Sequence, residues 1–226
     1  MGPPYDAVLF DFDGVLVDSE PVHYECWRTI LLDYGFKLEW SAYQRHFLGV
    51  SDREMVARLV ACSPVPLSAS AILARYPEKR DLFRQRMQSE VPLSPGVVEL
   101  FRDLSGLPLG VVTSSLRLEV EPVLERCGLL ARLAVVVYGD DVRRHKPDPE
   151  PYQVAAQRIG AQRPLVVEDS NAGEASARAA GFDVVRVPEP AIMAAVVRQR
   201  LNLASVDPAR QSAGACQNAL EYGNSR

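Results

Sequence analysis

The chain is short of lysine. Of its 25 basic residues only Lys37, Lys79 and Lys146 are lysines, and the formal net charge is −4. Basic stretches interleaved with aromatics are missing, so there is no electrostatic footprint for a nucleic-acid partner. The lysine shortage itself reads as a compositional bias toward arginine and receives no chemical role. Cysteine is scarce too. Cys26, Cys62, Cys127 and Cys216 lie far apart and form no C-x-x-C pair, which argues against a zinc cluster or a dense disulfide framework and suits a reducing compartment. No apolar run approaches the roughly 20 residues that span a bilayer. The N-terminus runs at once into "YDAVLF", with no charged segment and cleavage site. The expectation is a cytoplasmic protein without a membrane partner, a monomer or a weak homodimer.

What is present is enough apolar material for a core. A chain of 226 residues, 47% hydrophobic and 24% charged, can form one large domain or one domain with an insertion. Short apolar runs recur: "AVLF" at 7–10, "LGVV" at 109–112, "LAVVVY" at 133–138, "LVV" at 165–167 and "DVVRV" at 183–187. Such runs are typical of strands buried on both faces of a parallel sheet. Between them lie helix-length segments. Pro95-Gly96 opens "VVELFRDL", and three further segments end at Gly128, Gly160 and Gly181, where a helix C-terminus favours glycine. The pattern is α/β, a Rossmann-like doubly wound parallel sheet.

The interval from Leu16 to Glu90 breaks that pattern. Here "EPVHYECWRTILLDYG" sets Val22, Trp27, Ile30, Leu31 and Tyr34 on one helical face, and "REMVARLV" and "DLFRQRM" continue the helical theme. The expected division is a core of residues 1–15 and 91–200, a helical insert of 16–90, and a loosely held tail of 201–226 that is polar and aperiodic.

In an open parallel sheet, ligands sit beyond the carboxyl ends of the strands. The unusual polar residues fall there: Asp11 and Asp13, Thr113-Ser114-Ser115, Lys146 a few residues beyond "VVVYGDD", and Glu168-Asp169. If the two-residue period persists, Asp11 and Asp13 share a face and Phe12 points away. Two carboxylates ~5 Å apart repel by roughly 3 kcal/mol at an effective dielectric of ~20. Adding Glu168 and Asp169 forces the cluster to take up protons or a cation. An all-oxygen donor set that leaves room for water suits Mg²⁺. Taken singly, each residue has a plainer reading: Asp13 and Asp169 as turn or capping residues, Thr113 as a strand-to-helix cap, Lys146 as a surface lysine. The agreement of four strand ends outweighs those readings.

The stretches "DFDGVLVDSE", "VVTSS", "KPDPEPY" and "VVEDSNAGEASARAAG" resemble, in order and spacing, the four motifs of the haloacid dehalogenase superfamily over about residues 5–188. The helical insert resembles the cap of its β-phosphoglucomutase-like and phosphoglycolate-phosphatase-like branch. The resemblance implies a Rossmann-like core under a mobile cap and a Mg²⁺-dependent phosphatase acting on a small phosphorylated metabolite through an aspartyl phosphate. Asp11 matches the nucleophile and Asp13 the general acid and base, its backbone carbonyl also facing the metal. Thr113 and Ser114, with the neighbouring Ser115, match the phosphate-binding strand end. Lys146 matches the phosphate and nucleophile contact, and Glu168 and Asp169 the rest of the metal site, Asp169 as the direct ligand. His23 lies near the hinge, where the family contacts substrate or the catalytic acid. "LGVSDREM" matches the cap loop that enters the active site, with Gly49 at its glycine and Arg53 within reach of a second anion. The mutase pattern, however, has arginine where this chain has Asp52. The alternative reading is a phosphosugar mutase, less favoured because a carboxylate there opposes a second phosphate unless Arg53 turns inward. A haloacid dehalogenase needs neither the acid at Asp13 nor a metal cluster, and a receiver-like phospho-switch carries its aspartate on a later strand without a cap. The segment "PEPAIMAAVVRQRL" departs from the family's final strand and helix.

Overall fold

A computed structural model describes residues 4–48, 50–63 and 66–203, with the side chain of Gln88 left aside. The expected tail beyond 203, and Gly49, lie outside these residues. The first strand, β1 (Ala7–Phe10), is followed by five helices: α1 (Glu20–Leu32), α2 (Trp40–His46), α3 (Asp52–Cys62), α4 (Ala69–Ala74) and α5 (Tyr76–Ser89). The chain then alternates α6 (Val97–Asp103), β2 (Leu109–Val112), α7 (Arg117–Arg126), β3 (Val135–Val137), α8 (Glu150–Ile159), β4 (Pro164–Glu168), α9 (Asn171–Ala179), β5 (Asp183–Arg186) and α10 (Met193–Arg200). All five strands run parallel in the order β3-β2-β1-β4-β5, with Val8 opposite both Leu109 and Leu165. Every residue of β1, β2 and β4 is buried, as expected of strands covered on both faces. Order reverses at β1, so the crevice beyond its carboxyl end is flanked by β2 and β4.

Helix ends follow the sequence signals. Gly160 closes α8 at φ +74, a left-handed conformation that glycine adopts without a Cβ clash. Helices α2 and α4 were not foreshadowed by the sequence pattern. Trp27, Ile30 and Leu31 of α1 pack with Tyr43, Met55 and Ile72 in a hydrophobic cluster belonging to the insert. Val22 does not join them. It packs with Phe83 and Leu93 against the cluster that contains β1 and α6, because α1 is clasped between the two clusters and its first turn faces the sheet side. Met87 of α5 belongs to that second cluster as well. The two connections run side by side, with Asp18 N–H donating to Pro92 O (2.8 Å) and Ser94 N–H to Leu16 O (2.9 Å).

The segment after Val187 completes the core, with a 3-10 turn at Pro190–Ile192 and then α10. Met193, Ala194 and Val197 are buried there in the main cluster, and Arg198 pairs with Asp103 at 2.8 Å. Among the described residues, no helix is long and apolar enough to cross a membrane.

Candidate active site

The ladder of β1 ends at Phe10, yet Asp11 N–H still donates to Val167 O (2.9 Å), which fixes the carboxylate at the crevice. Asp11 is buried. Lys146, from the loop after β3, reaches across the sheet end: its Nζ donates to Asp11 Oδ1 (2.7 Å), Glu168 Oε1 (2.6 Å) and the carbonyl of Val112 (2.9 Å). All three ammonium donors are thereby used. Glu168 is fully buried and saturated. Its Oε1 also accepts from Tyr152 Oη (2.8 Å), and its Oε2 accepts from the N–H groups of Asp169 and Ser170 and from the Ser170 hydroxyl, each at 3.0 Å.

Asp11, Glu168 and Asp169 each present an oxygen within 4.8 Å of the others. Burial, then the nearby Glu168 and Asp169, push the Asp11 carboxyl well above its usual range despite Lys146. Burial and the Glu168 charge push Asp169 up to about 6. Glu168 itself is held low, because Lys146 and its hydrogen bonds outweigh burial. Three carboxylates thus face one ammonium, and the ionised forms of Asp11 and Asp169 are the ones disfavoured. Two glycines make room. At Gly14 (φ +72) a Cβ would overlap the Asp169 carboxylate, and at Gly173 it would overlap that of Glu168.

The expected face-sharing of Asp11 and Asp13 does not extend to their carboxylates. With the ladder over, the chain turns at Asp13 to bridge to Val17. The Asp13 side chain accepts from Ser115 Oγ (2.8 Å) and lies apart from the acidic trio, which leaves only its main-chain carbonyl for the metal site. Thr113 is buried, and its Oγ1 accepts from Ser115 N–H (3.0 Å), a turn contact that orders the strand end. Ser114 is exposed and Ser115 half-buried; both line a cleft of about 760 Å³ closed on the far side by Ser51, Asp52, Arg53, Leu73 and Tyr76. Arg53 is exposed there.

The insert brings a polar cluster of its own to the cleft. His23 stacks on Phe83 (4.2 Å between centroids), and its Nδ1 meets Lys79 Nζ at 2.7 Å. Lys79 also donates to Asp52 Oδ2 (3.0 Å), while Trp27 Nε1 donates to Asp52 Oδ1 (2.6 Å). The Asp52 carboxylate is therefore balanced by Lys79 and not by an inward Arg53. Lys79, Trp27 and Tyr152 were missed as site residues. The signal for Lys79 was its rarity: two of the three lysines have buried side chains, both in ion pairs in this region, whereas Lys37 pairs with Glu39 on the surface.

The chain is similar in sequence and fold to known proteins. The family model described as haloacid dehalogenase-like hydrolase matches residues 8–187. A phosphorylated carbohydrates phosphatase of Thermotoga maritima is 32% identical over 183 residues, covering 79% of this chain and 82% of that protein. A fructose-1-phosphate phosphatase of Escherichia coli is 34% identical over 187 residues, covering 81% and 96%. A solved haloacid dehalogenase superfamily hydrolase of subfamily IA from Geobacter sulfurreducens superposes with a TM-score of 0.69 at 25% identity, covering 84% of this chain and 90% of that one. With the match running from the first strand through the last, the chain belongs to the haloacid dehalogenase-like hydrolase family.

Proposed function

We propose that the protein is a Mg²⁺-dependent phosphatase that hydrolyses a small phosphorylated metabolite, a sugar phosphate or similar, through an aspartyl phosphate on Asp11. In this reading residues 16–90 are a cap over a core of 1–15 and 91–200. The observation that carries it is the Lys146 ammonium, bridging Asp11 and Glu168 beside Asp169, so that three carboxylates converge on one lysine. The donor set fits a hard divalent cation, because burial and neighbouring carboxylates raise Asp11 and Asp169 and oxygen is the only ligand type offered. Asp11 and Asp169 would hold it with the Asp13 carbonyl, while Glu168, saturated by donors, fixes Lys146 and the loop of Asp169. When bound, the cation supplies positive charge that keeps Asp11 ionised and offsets the phosphate.

The chain's own residues then divide the work. Lys146 occupies Asp11 Oδ1, so the other carboxylate oxygen is the one left to attack phosphorus. The P–O bond to the leaving group breaks as the Asp11 O–P bond forms. Asp13, once released from Ser115, gives its proton to the departing alkoxide, then takes one from the water that attacks the aspartyl phosphate, regenerating Asp11 and inorganic phosphate. The Thr113 and Ser114 hydroxyls and the Ser114 amide border the crevice on the side of β2, where phosphate oxygens need donors, whereas the amides of Thr113 and Ser115 are already given to Val137 O and Thr113 Oγ1.

Phosphate release from a panel of sugar phosphates, with Mg²⁺ and after exhaustive chelation, tests the reading. Turnover is expected only with the cation. Asp11→Asn is expected to lower kcat by at least about 10³-fold while leaving the melting temperature near that of wild type. A chelated protein or an Asp11→Asn variant working at the full rate overturns the assignment.

A further inference from the structure

Opposite the strand ends, the cleft is roofed by an ion pair whose two halves are unequally exposed. The Lys79 side chain retains 3% of its accessible surface, and the Asp52 side chain 22%. Lys79 is absent from the lining of the main cleft and sits against His23, Phe83 and the ring of Trp27 at the wall of a smaller adjoining cavity. The carboxylate lines both the main cleft and that cavity, of about 100 Å³. Trp27 and Lys79 each engage one carboxylate oxygen, and the Tyr76 hydroxyl is a third hydrogen-bonding neighbour, which leaves room for about one further donor, since an ionised carboxylate accepts about four hydrogen bonds. Burial raises Asp52, but Lys79 and the Trp27 hydrogen bond outweigh it and hold the carboxyl below its usual range.

We propose that Asp52 determines specificity by accepting a hydrogen bond from a neutral hydroxyl of the leaving group, so that the cleft takes phosphorylated polyols and sugars and rejects substrates with a second anion. The inference rests on the phosphatase reading above and names the substrate class of that site. An acceptor-only group rewards O–H donors and repels carboxylate or phosphate in a partly desolvated cleft. Lys79 cannot reverse that sign, because its charge is already spent on Asp52. The cation at the cleft's edge, Arg53, is the competing feature: turned inward, it would favour an anionic tail.

The test uses a matched pair, glucitol 6-phosphate and 6-phosphogluconate, which differ in one terminus, CH₂OH against COO⁻, with p-nitrophenyl phosphate as a third ester. The measured quantity is the ratio of kcat/KM for the two sugar derivatives within one preparation, which does not depend on the folded fraction. In the wild type the neutral substrate is expected to lead by about 30-fold or more. Asp52→Asn exposes an uncompensated Lys79, and the ratio should fall to near one or invert. Lys79→Gln leaves the carboxylate unbalanced, and the ratio should rise. A purely structural pair would lower both rates in both variants and leave the ratio fixed, which overturns the proposal. So does a wild type that cleaves 6-phosphogluconate as well as glucitol 6-phosphate and loses that ability in Arg53→Gln. If none of the three esters releases phosphate, the phosphatase reading fails and takes the inference with it; p-nitrophenyl phosphate cleaved with a ratio of one sinks the inference alone.

Discussion

His23 is a base placed beside an ammonium. Lys79 Nζ donates to its Nδ1 at 2.7 Å, which requires the neutral ring with its proton on Nε2. Burial, and then the Lys79 charge, lower it to about 4, against weaker opposition from Asp13 and Asp52. The sign of the consequence follows from linkage. Between the ordinary value of 6.5 and about 4, the unfolded chain binds a proton at this position that the folded chain does not. Stability therefore falls as pH drops through that window, and the full contribution is present only above 6.5. His23→Gln keeps an acceptor for Lys79 and removes the titration. Its melting temperature is expected to decline less steeply than that of wild type between pH 6.5 and 4, measured by thermal denaturation in matched buffers. Parallel curves for the two proteins would mean that the ring is protonated in the folded state and that the Lys79 contact is wrong.

At the scale of elements, α9 shows how the acidic site is built into a helix start. Ser170 caps it, its hydroxyl oxygen accepting from Gly173 N–H at 2.9 Å, and Gly173 lies in the first turn. Propensity alone favours alanine over glycine in a helix by about 1 kcal/mol. Here a Cβ would land on the carboxylate of Glu168, a fully buried group with five donors. The clash should win, since displacing a buried, hydrogen-bonded charge costs about 3–5 kcal/mol. Gly173→Ala is expected to lower both the melting temperature and turnover, and a stabilised, fully active variant would show that Glu168 has slack. This glycine also marks the limit of what the sequence discloses. The five strands were readable because β-branched runs such as "LGVV" and "LAVVVY" suit only buried strands, and Asp11, Lys146 and Asp169 stood at strand ends where the topology makes them converge. Position in a strand does not report where a carboxylate points once the ladder stops, so Asp13 was grouped with the trio although it faces Ser115. Lys79 was hidden for a related reason: His23, Trp27 and Asp52 reach it from α1 and α3, a meeting that no single helical face encodes. The helix α10 eluded pattern reading because Pro188 and Pro190 blur its start and its buried stripe is only three residues, Met193, Ala194 and Val197.

At the scale of the whole molecule, one ion pair joins the proposed cap to the proposed core among the described residues, Arg80 Nε of α5 to Glu119 Oε1 of α7 at 3.1 Å, beside the packing of Val22, Phe83 and Met87 against the main cluster. Glu119 is already engaged at the start of α7, where its Oε2 accepts from Leu116 N–H (3.2 Å), which holds it in place as the acceptor for Arg80. The Arg80 side chain keeps 35% of its surface, and pairs this accessible contribute about 0–1 kcal/mol. Such a contact is too weak to decide folding but comparable to what balances an open against a closed cleft. Arg80→Gln is thus expected to move the melting temperature by no more than about 4 °C. If closure precedes chemistry, KM for a sugar phosphate should rise by up to about fivefold while kcat stays within about twofold. Added salt should raise the wild-type KM toward that of the variant and change the variant little, because screening removes the same interaction. Steady-state kinetics at two ionic strengths decide the matter. A variant with unchanged KM and an unchanged salt response would mean that the pair is surface decoration, and that the geometry of the cleft is set instead by the paired connections at Leu16–Asp18 and Pro92–Ser94.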